Sequence, residues 1–193
     1  MDEEIINIRK KIIGVAMSLF VAQGYDGASM REIAESCGIT KAGLYYHFTD
    51  KQDLFLAVLD DQLNELGKIL NRIEALPGKT KNKVRAFLQT IFSQSADQRA
   101  IILLASQDMQ KVGAEERAKF NQLYQTKFLN RIAAILDAGI AAGELRSHDT
   151  LQGVWALLGL MYPYLHRSFN DSDQLENSVD FLNSVFFDGI SSK

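Results

Sequence analysis

Four side chains suited to a polyanion crowd into two helical turns: Lys41, Tyr45, Tyr46 and His47. An ammonium, two phenolic hydroxyls and an imidazole supply donors for phosphate oxygens and for base edges. Leu44 and Phe48 are left to anchor the same short helix. Two adjacent tyrosines alone would read as packing residues; the turn signature and the lysines that flank them point instead to nucleic acid. Other chemistries find little support. His47, His148 and His166 are not spaced with a second His, Cys or carboxylate as metal ligands. No glycine-rich phosphate loop and no nucleophile elbow occurs. No catalytic residue, metal or cofactor is expected.

The elements that must position these side chains can be read outward from them. Ser29 is a good helix N-cap, and Glu32 three residues later completes a capping box. Ile33 and Ala34 give that helix an apolar edge. Gly38 falls where a left-handed residue would end it. Thr40 then caps a second helix over 41–47, and small Ala34 lets the two cross closely. This is the pattern of a helix-turn-helix, whose second helix enters the major groove of DNA. Asp50 caps the next helix and sets Lys51 in its first turn, a ready phosphate clamp. The expected DNA contacts are Ser29, Thr40, Lys41, Ala42, Tyr45, Tyr46, His47 and Lys51.

The stretch 9–54 resembles the DNA-binding domain of the TetR/AcrR family of bacterial transcriptional regulators. The matching residues are Ile12, Ala16, Leu19-Phe20, Gly24-Tyr25, Ser29-Met30, Ile33-Ala34, Gly38-Ile39-Thr40-Lys41, Leu44-Tyr45, His47-Phe48, Lys51 and Leu54. Each piece is weak alone; together they are specific. Two departures stand out. Ala42 follows the lysine of the second helix where the family commonly has Gly, which bears on base preference. Ala28 precedes the first cap where the family often has Thr, which bears on one phosphate contact.

With 193 residues and 47% hydrophobic composition, the chain can build a real core. It contains two prolines, Pro77 and Pro163, and its apolar residues recur at helical spacing, so an all-α protein with about nine helices is expected. A net charge of -3 argues against a generic polyanion binder, but a DNA reader need only gather its basic residues on one face. The single cysteine, Cys37, permits no disulfide within the chain and reads as a small buried hydrophobe. The acidic start lacks the order of a signal peptide, and no apolar run reaches membrane-spanning length. A cytoplasmic protein with no membrane partner is expected.

Helices are expected over 2–23, 51–75, 81–93, the region after Ser95, 114–142, 150–168 and 172–187, besides the two of the motif. Helix 2–23 would hold the motif helices. Its Arg9, Lys10 and Lys11 are within range of phosphates, although exposed helix lysines are usually only solvated. Ser95 and Gln98 can cap the helix whose run Ile101 to Ala105 is apolar all round and so expected to be central. Pro163 should kink or end its helix early. Two domains follow: a helix-turn-helix head over 1–50 and a helical ligand-binding and dimerisation domain over 51–193.

The last two helices are apolar on most sides and need a further surface to cover them. The resemblance implies a dimer built from them, with Val154, Leu158, Met161, Leu182, Val185 and Phe186 as interface residues. The alternative is a monomer with the same residues buried internally. The resemblance also implies a small-molecule pocket among the middle helices. Leu66, Leu70, Phe87, Met109, Phe120, Tyr124, Trp155, Met161 and Tyr162 are its candidate residues, and they suit an apolar or planar aromatic effector. The expected function is a homodimeric repressor that binds an inverted-repeat operator in double-stranded DNA and leaves it when the effector binds. The alternatives are a regulator of the same fold without an effector, or an α-helical enzyme or carrier with an incidental helix-turn-helix.

Overall fold

The computed structural model describes residues 2–169 and 171–190, with the side chains of residues 2–5 and Ser106 excepted. Its regular elements are helices: α1 (Asp2–Gly27), α2 (Met30–Cys37), α3 (Lys41–His47), α4 (Lys51–Glu74), α5 (Thr80–Phe92), α6 (Ala96–Asp108), α7 (Ala114–Tyr124), α8 (Asn130–Ala141), α9 (Thr150–Leu165) and α10 (Ser172–Ile190). A 3-10 turn, Met109–Lys111, follows α6. A π-helical stretch, Gln125–Leu129, joins α7 to α8 in one uninterrupted run. With that run counted as one helix, as its sequence pattern suggests, the described residues form nine.

Two compact units emerge. One comprises Met1–Gln62 with Ala100–Asn121, the other Leu63–Arg99 with Gln122–Lys193. In the first, α1 packs on α2 and α2 on α3. Ile12, Ala16 and Phe20 of α1 meet Ile33, Ala34 and Cys37 of α2, Leu44 of α3, and Phe48, all essentially closed to solvent. Phe20 and Tyr25 both pack against Phe55 of α4, at ring distances of 5.1 and 5.0 Å. Phe20 and Phe55, each fully removed from water, stabilise the fold by about 1.5–3 kcal/mol apiece. Gly24 adopts φ 73°, ψ 172°, so the regular helix of α1 stops there and a last turn follows. Cys37 is buried, and burial pushes its thiol above the usual range.

The second unit is built on α5, α8, α9 and α10, with α5 against α10 and α8, and α9 against α8 and α10. Its interior includes Phe87, Leu88, Ile91, Phe128, Ile132, Leu136, Val154, Leu157, Leu158, Leu182 and Phe186. Arg99, itself buried, joins two helix ends. Its guanidinium donates to Phe92 O (2.9 Å) and Gln94 O at the end of α5, and to Leu165 O (3.3 Å) and Arg167 O (3.2 Å) at the end of α9. A cation among the carbonyls of two C-termini is favoured by both helix dipoles. Arg99→Met should leave those carbonyls without a donor and cost about 1–3 kcal/mol. Thermal melting of the variant would show a Tm several degrees lower; an unchanged Tm would mean that water replaces the guanidinium without penalty.

Two expectations need correction. The run Ile101 to Ala105 is not closed on all sides: Ile101 and Leu103 are buried, but Ile102, Leu104 and Ala105 are half-exposed. Apolar composition alone does not fix how many faces a helix buries. The helix that holds Pro163 ends at Leu165, two residues beyond the proline, rather than at 168. The carbonyl that Pro163 leaves without a donor is that of Gly159, an exposed residue of α9, where water can serve it.

Candidate nucleic-acid interface

The helix-turn-helix is assembled by its caps. Ser29 Oγ accepts from Glu32 N (3.2 Å), while the Glu32 carboxylate takes a bond from Gln23 Nε2 (2.6 Å) of α1. Gly38, at φ 68°, closes α2, and Ile39 N bonds back to Ala34 O at 3.0 Å. That geometry needs a left-handed residue, which glycine adopts without strain. Thr40 Oγ1 accepts from Gly43 N (3.0 Å) and starts α3. Asp50 Oδ1 accepts from Asp53 N (2.8 Å) and starts α4, while Asp53 reaches back to Thr49 N (2.9 Å).

α3 therefore stands with Leu44 and the following Phe48 turned inward and its other side chains outward. Tyr46 is 75% exposed and Tyr45 43% exposed. Lys41 and Ala42 are exposed as well, and His47 is half-exposed beside Tyr46, ring to ring at 5.2 Å. Lys41 Nζ lies 5.7 Å from the Tyr45 ring. Tyrosines this open to water are free to donate to a groove. Ser29 and Thr40 are exposed at the two helix starts, with their hydroxyl oxygens already used as caps.

Three basic residues sit differently from the sequence expectation. Lys51 Nζ is turned into the protein, donating to Ala28 O (3.1 Å) and Asp26 O (3.4 Å) and lying 4.6 Å over the Tyr25 ring. An ammonium has three donors, so one remains for a phosphate. Arg9 donates to His47 O, and Lys11 to Cys37 O, both at 2.9 Å. Lys10 is exposed.

Asp108, buried at the end of α6, carries no local sequence signature. Its Oδ2 accepts from Tyr25 N (2.7 Å), the amide that follows the break at Gly24. Its Oδ1 pairs with Lys111 (3.0 Å), which also pairs with Asp26 (2.6 Å). Gly113 N donates to Gln52 Oε1 (2.9 Å). The segment after α6 thus grips the turn before α2 and the start of α4. No local pattern could reveal a partner 83 residues away.

The candidate pocket residues separate on inspection. Leu66, Leu70, Phe87 and Met161 are buried in the second unit, and Met109 and Phe120 are buried in the first. Tyr124 bonds with Tyr162, both half-buried, and burial with that neighbour pushes the Tyr124 hydroxyl far above the usual tyrosine range. Trp155 does not belong with them, because it is 51% exposed on the outside of α9. The candidate interface residues need the opposite correction. Val154, Leu158, Met161, Leu182 and Phe186 are already buried within the single chain; of the six, Val185 alone is open. On α9 and α10 the open apolar positions instead recur at four-residue spacing: Leu151, Trp155 and Gly159 on α9, and Phe181, Val185 and Gly189 on α10. A methyl group added at Gly159 or Gly189 would meet nothing.

Among the described residues, no cluster of three or more His, Cys, Asp or Glu could hold a metal ion, and no helix is long and apolar enough to cross a membrane. Residues 12–58 match the family profile described as bacterial regulatory proteins, tetR family. That segment is the DNA-binding domain of the tetR family. The chain is a DNA-binding transcriptional regulator with an all-α fold and an N-terminal helix-turn-helix. The regulator is 28% identical over 170 residues to the HTH-type transcriptional regulator SrpR of Pseudomonas putida, covering 86% of this chain and 77% of that one. It is 24% identical over 139 residues to the HTH-type transcriptional repressor KstR2 of Rhodococcus jostii, covering 72% and 68%. In fold it is similar to AibR, solved with isovaleryl coenzyme A and operator DNA: TM-score 0.76, 22% identity, 93% of this chain and 98% of that one.

Proposed function

We propose that this regulator is a cytoplasmic homodimeric repressor whose grip on an inverted-repeat operator is released by a small molecule. The observation that carries the DNA reading is α3, capped at its start and anchored by Leu44, with Tyr45 and Tyr46 held open to solvent. Residues 1–50 act as the reading head, with Lys41, Ala42, Tyr45, Tyr46 and His47 toward the bases. Ser29, Thr40 and the spare donor of Lys51 face phosphates. Residues 51–193 carry sensing and assembly. KstR2 is named a repressor, and AibR was solved with both an acyl-coenzyme A and its operator; both support this reading by analogy.

Assembly follows from the two open stripes. A leucine and a tryptophan open on α9, and a phenylalanine and a valine open on α10, offer apolar surface that a second copy would cover by two-fold symmetry. The open glycines let helix backbones approach. The dimer then places two copies of α3 in successive major grooves, roughly 34–36 Å apart.

Sensing is assigned to the second unit, where the buried Leu66, Leu70, Phe87 and Met161 and the Tyr124–Tyr162 pair would line an apolar site with one hydroxylic end. The π-helical turn beside Tyr124 fits this, since such turns recur at functional sites. α4 is a single helix with Lys51 at one end and Leu66 and Leu70 toward the other, so a shift at the site reaches the head as a tilt. The effector must bind the tilted state more tightly; equal affinity shifts nothing. Coupling of about 1–3 kcal/mol lowers operator affinity roughly 5–150-fold.

The test is a mobility shift with an operator duplex selected by the protein from a random pool, repeated with apolar and aromatic candidate ligands. Release by a ligand, and an equal loss of that ligand's affinity when operator is present, supports induction. No release by any ligand favours a regulator without an effector.

Lys51 gives a separate expectation. Lys51→Ala should weaken binding to all duplexes alike and lower the salt slope by about 1 per site. Salt titrations of wild type and variant decide it; a change in preferred bases instead would show that Lys51 reads sequence.

A further inference from the structure

We propose that Arg9 is a positioning residue for sequence reading, which anchors the C-terminal end of α3 so that Tyr46 and His47 meet the bases in register. The inference rests on the placement of α3 in the groove. α3 has seven residues, too few to be stable by itself, so its direction is set by whatever holds its two ends. Thr40 holds the first. At the other, the last carbonyls have no further turn to receive them. Arg9 Nη1 donates to His47 O at 2.9 Å, and the guanidinium carbon stands 4.2 Å from the centre of the Phe48 ring. Phe48 is buried, so its ring is a fixed platform. One planar cation thereby caps a carbonyl, stacks on the adjacent anchor and neutralises the negative end of the helix.

The same helix repeats the device. Lys11, two residues on, donates to Cys37 O at the end of α2. α1 therefore grips the C-termini of both motif helices with cations, which fixes their crossing independently of the apolar contacts beneath. This differs from the phosphate contact that an exposed arginine near DNA would ordinarily suggest.

The roles separate in one experiment. Full-length wild type, Arg9→Met, Arg9→Lys and Tyr46→Ala are titrated against the selected operator duplex and an unrelated duplex over a range of salt, with helicity followed by circular dichroism. Positioning predicts that Arg9→Met loses about tenfold on the operator, keeps its affinity for the unrelated duplex, and keeps its salt slope. Arg9→Lys should not restore the operator affinity, since an ammonium cannot both stack flat and hold the carbonyl. If Arg9→Met loses helicity, Arg9→Lys alone decides, and it should show the same selective loss. A parallel fall on both duplexes, with the slope lower by about 1 and rescue by lysine, makes Arg9 a phosphate contact and overturns the proposal. Unchanged operator affinity in the arginine variants also overturns it. Tyr46→Ala then tells whether the reading of α3 has failed with it, because that variant is unchanged only if α3 does not enter the groove.

Discussion

A Trp155→Glu, Phe181→Asp double variant is expected to be a folded monomer with operator affinity lower by roughly 10²–10⁴-fold, the gain normally supplied by joining two binding modules. Both side chains are more than half exposed in the single chain, at 51% and 59%, so their replacement leaves the monomer core intact. In a two-fold interface each charge occurs twice and is buried against apolar surface without a partner, which costs several kcal/mol. Tryptophan is also a residue type enriched at interface hot spots. Sedimentation velocity reads the mass, and operator titration reads the affinity. Leu158→Glu is the useful contrast: Leu158 is fully buried, so its variant should be insoluble or unfolded rather than a clean monomer. If the double variant and wild type sediment alike, as dimers or as monomers, the stripes are not the assembly surface.

Tyr46→Ala and His47→Ala should each weaken operator binding by about 1–3 kcal/mol per half-site, and by about twice that for a dimer carrying the change in both heads. Tyr46 packs against little of its own chain, so the loss should come without a change in melting temperature. His47 is less clean, because its carbonyl is the one held by Arg9; its side chain can nevertheless be removed without touching that bond. The discrimination between operator and unrelated duplex should shrink, while the salt slope stays put. Unchanged operator affinity in both variants would remove α3 from the groove and with it the present account of reading.

What the sequence alone determined is whatever depends on neighbours along the chain. Ser29, Gly38, Thr40 and Asp50 mark helix ends because a cap needs only the amides within three residues and one permitted backbone angle. The periodic runs then make the long helices visible, and the whole 114–142 run was legible although its π-helical middle was not. Tyr45, Tyr46 and Lys41 are legible as an outward face because Leu44 and Phe48 occupy the anchoring positions. The tertiary structure decided everything that depends on which face meets what. On α9 and α10, apolar residues occupy nearly every side, so composition could not tell Val154 and Phe186, which are interior, from Trp155 and Phe181, which are not. Lys51 and Arg9 look like phosphate ligands in sequence, since a long basic side chain near a helix end suits both roles. Only folding brings the carbonyls of Ala28 and His47 within their reach. Asp108 is the extreme case: its partner is the amide freed by Gly24, and the two meet through tertiary packing alone.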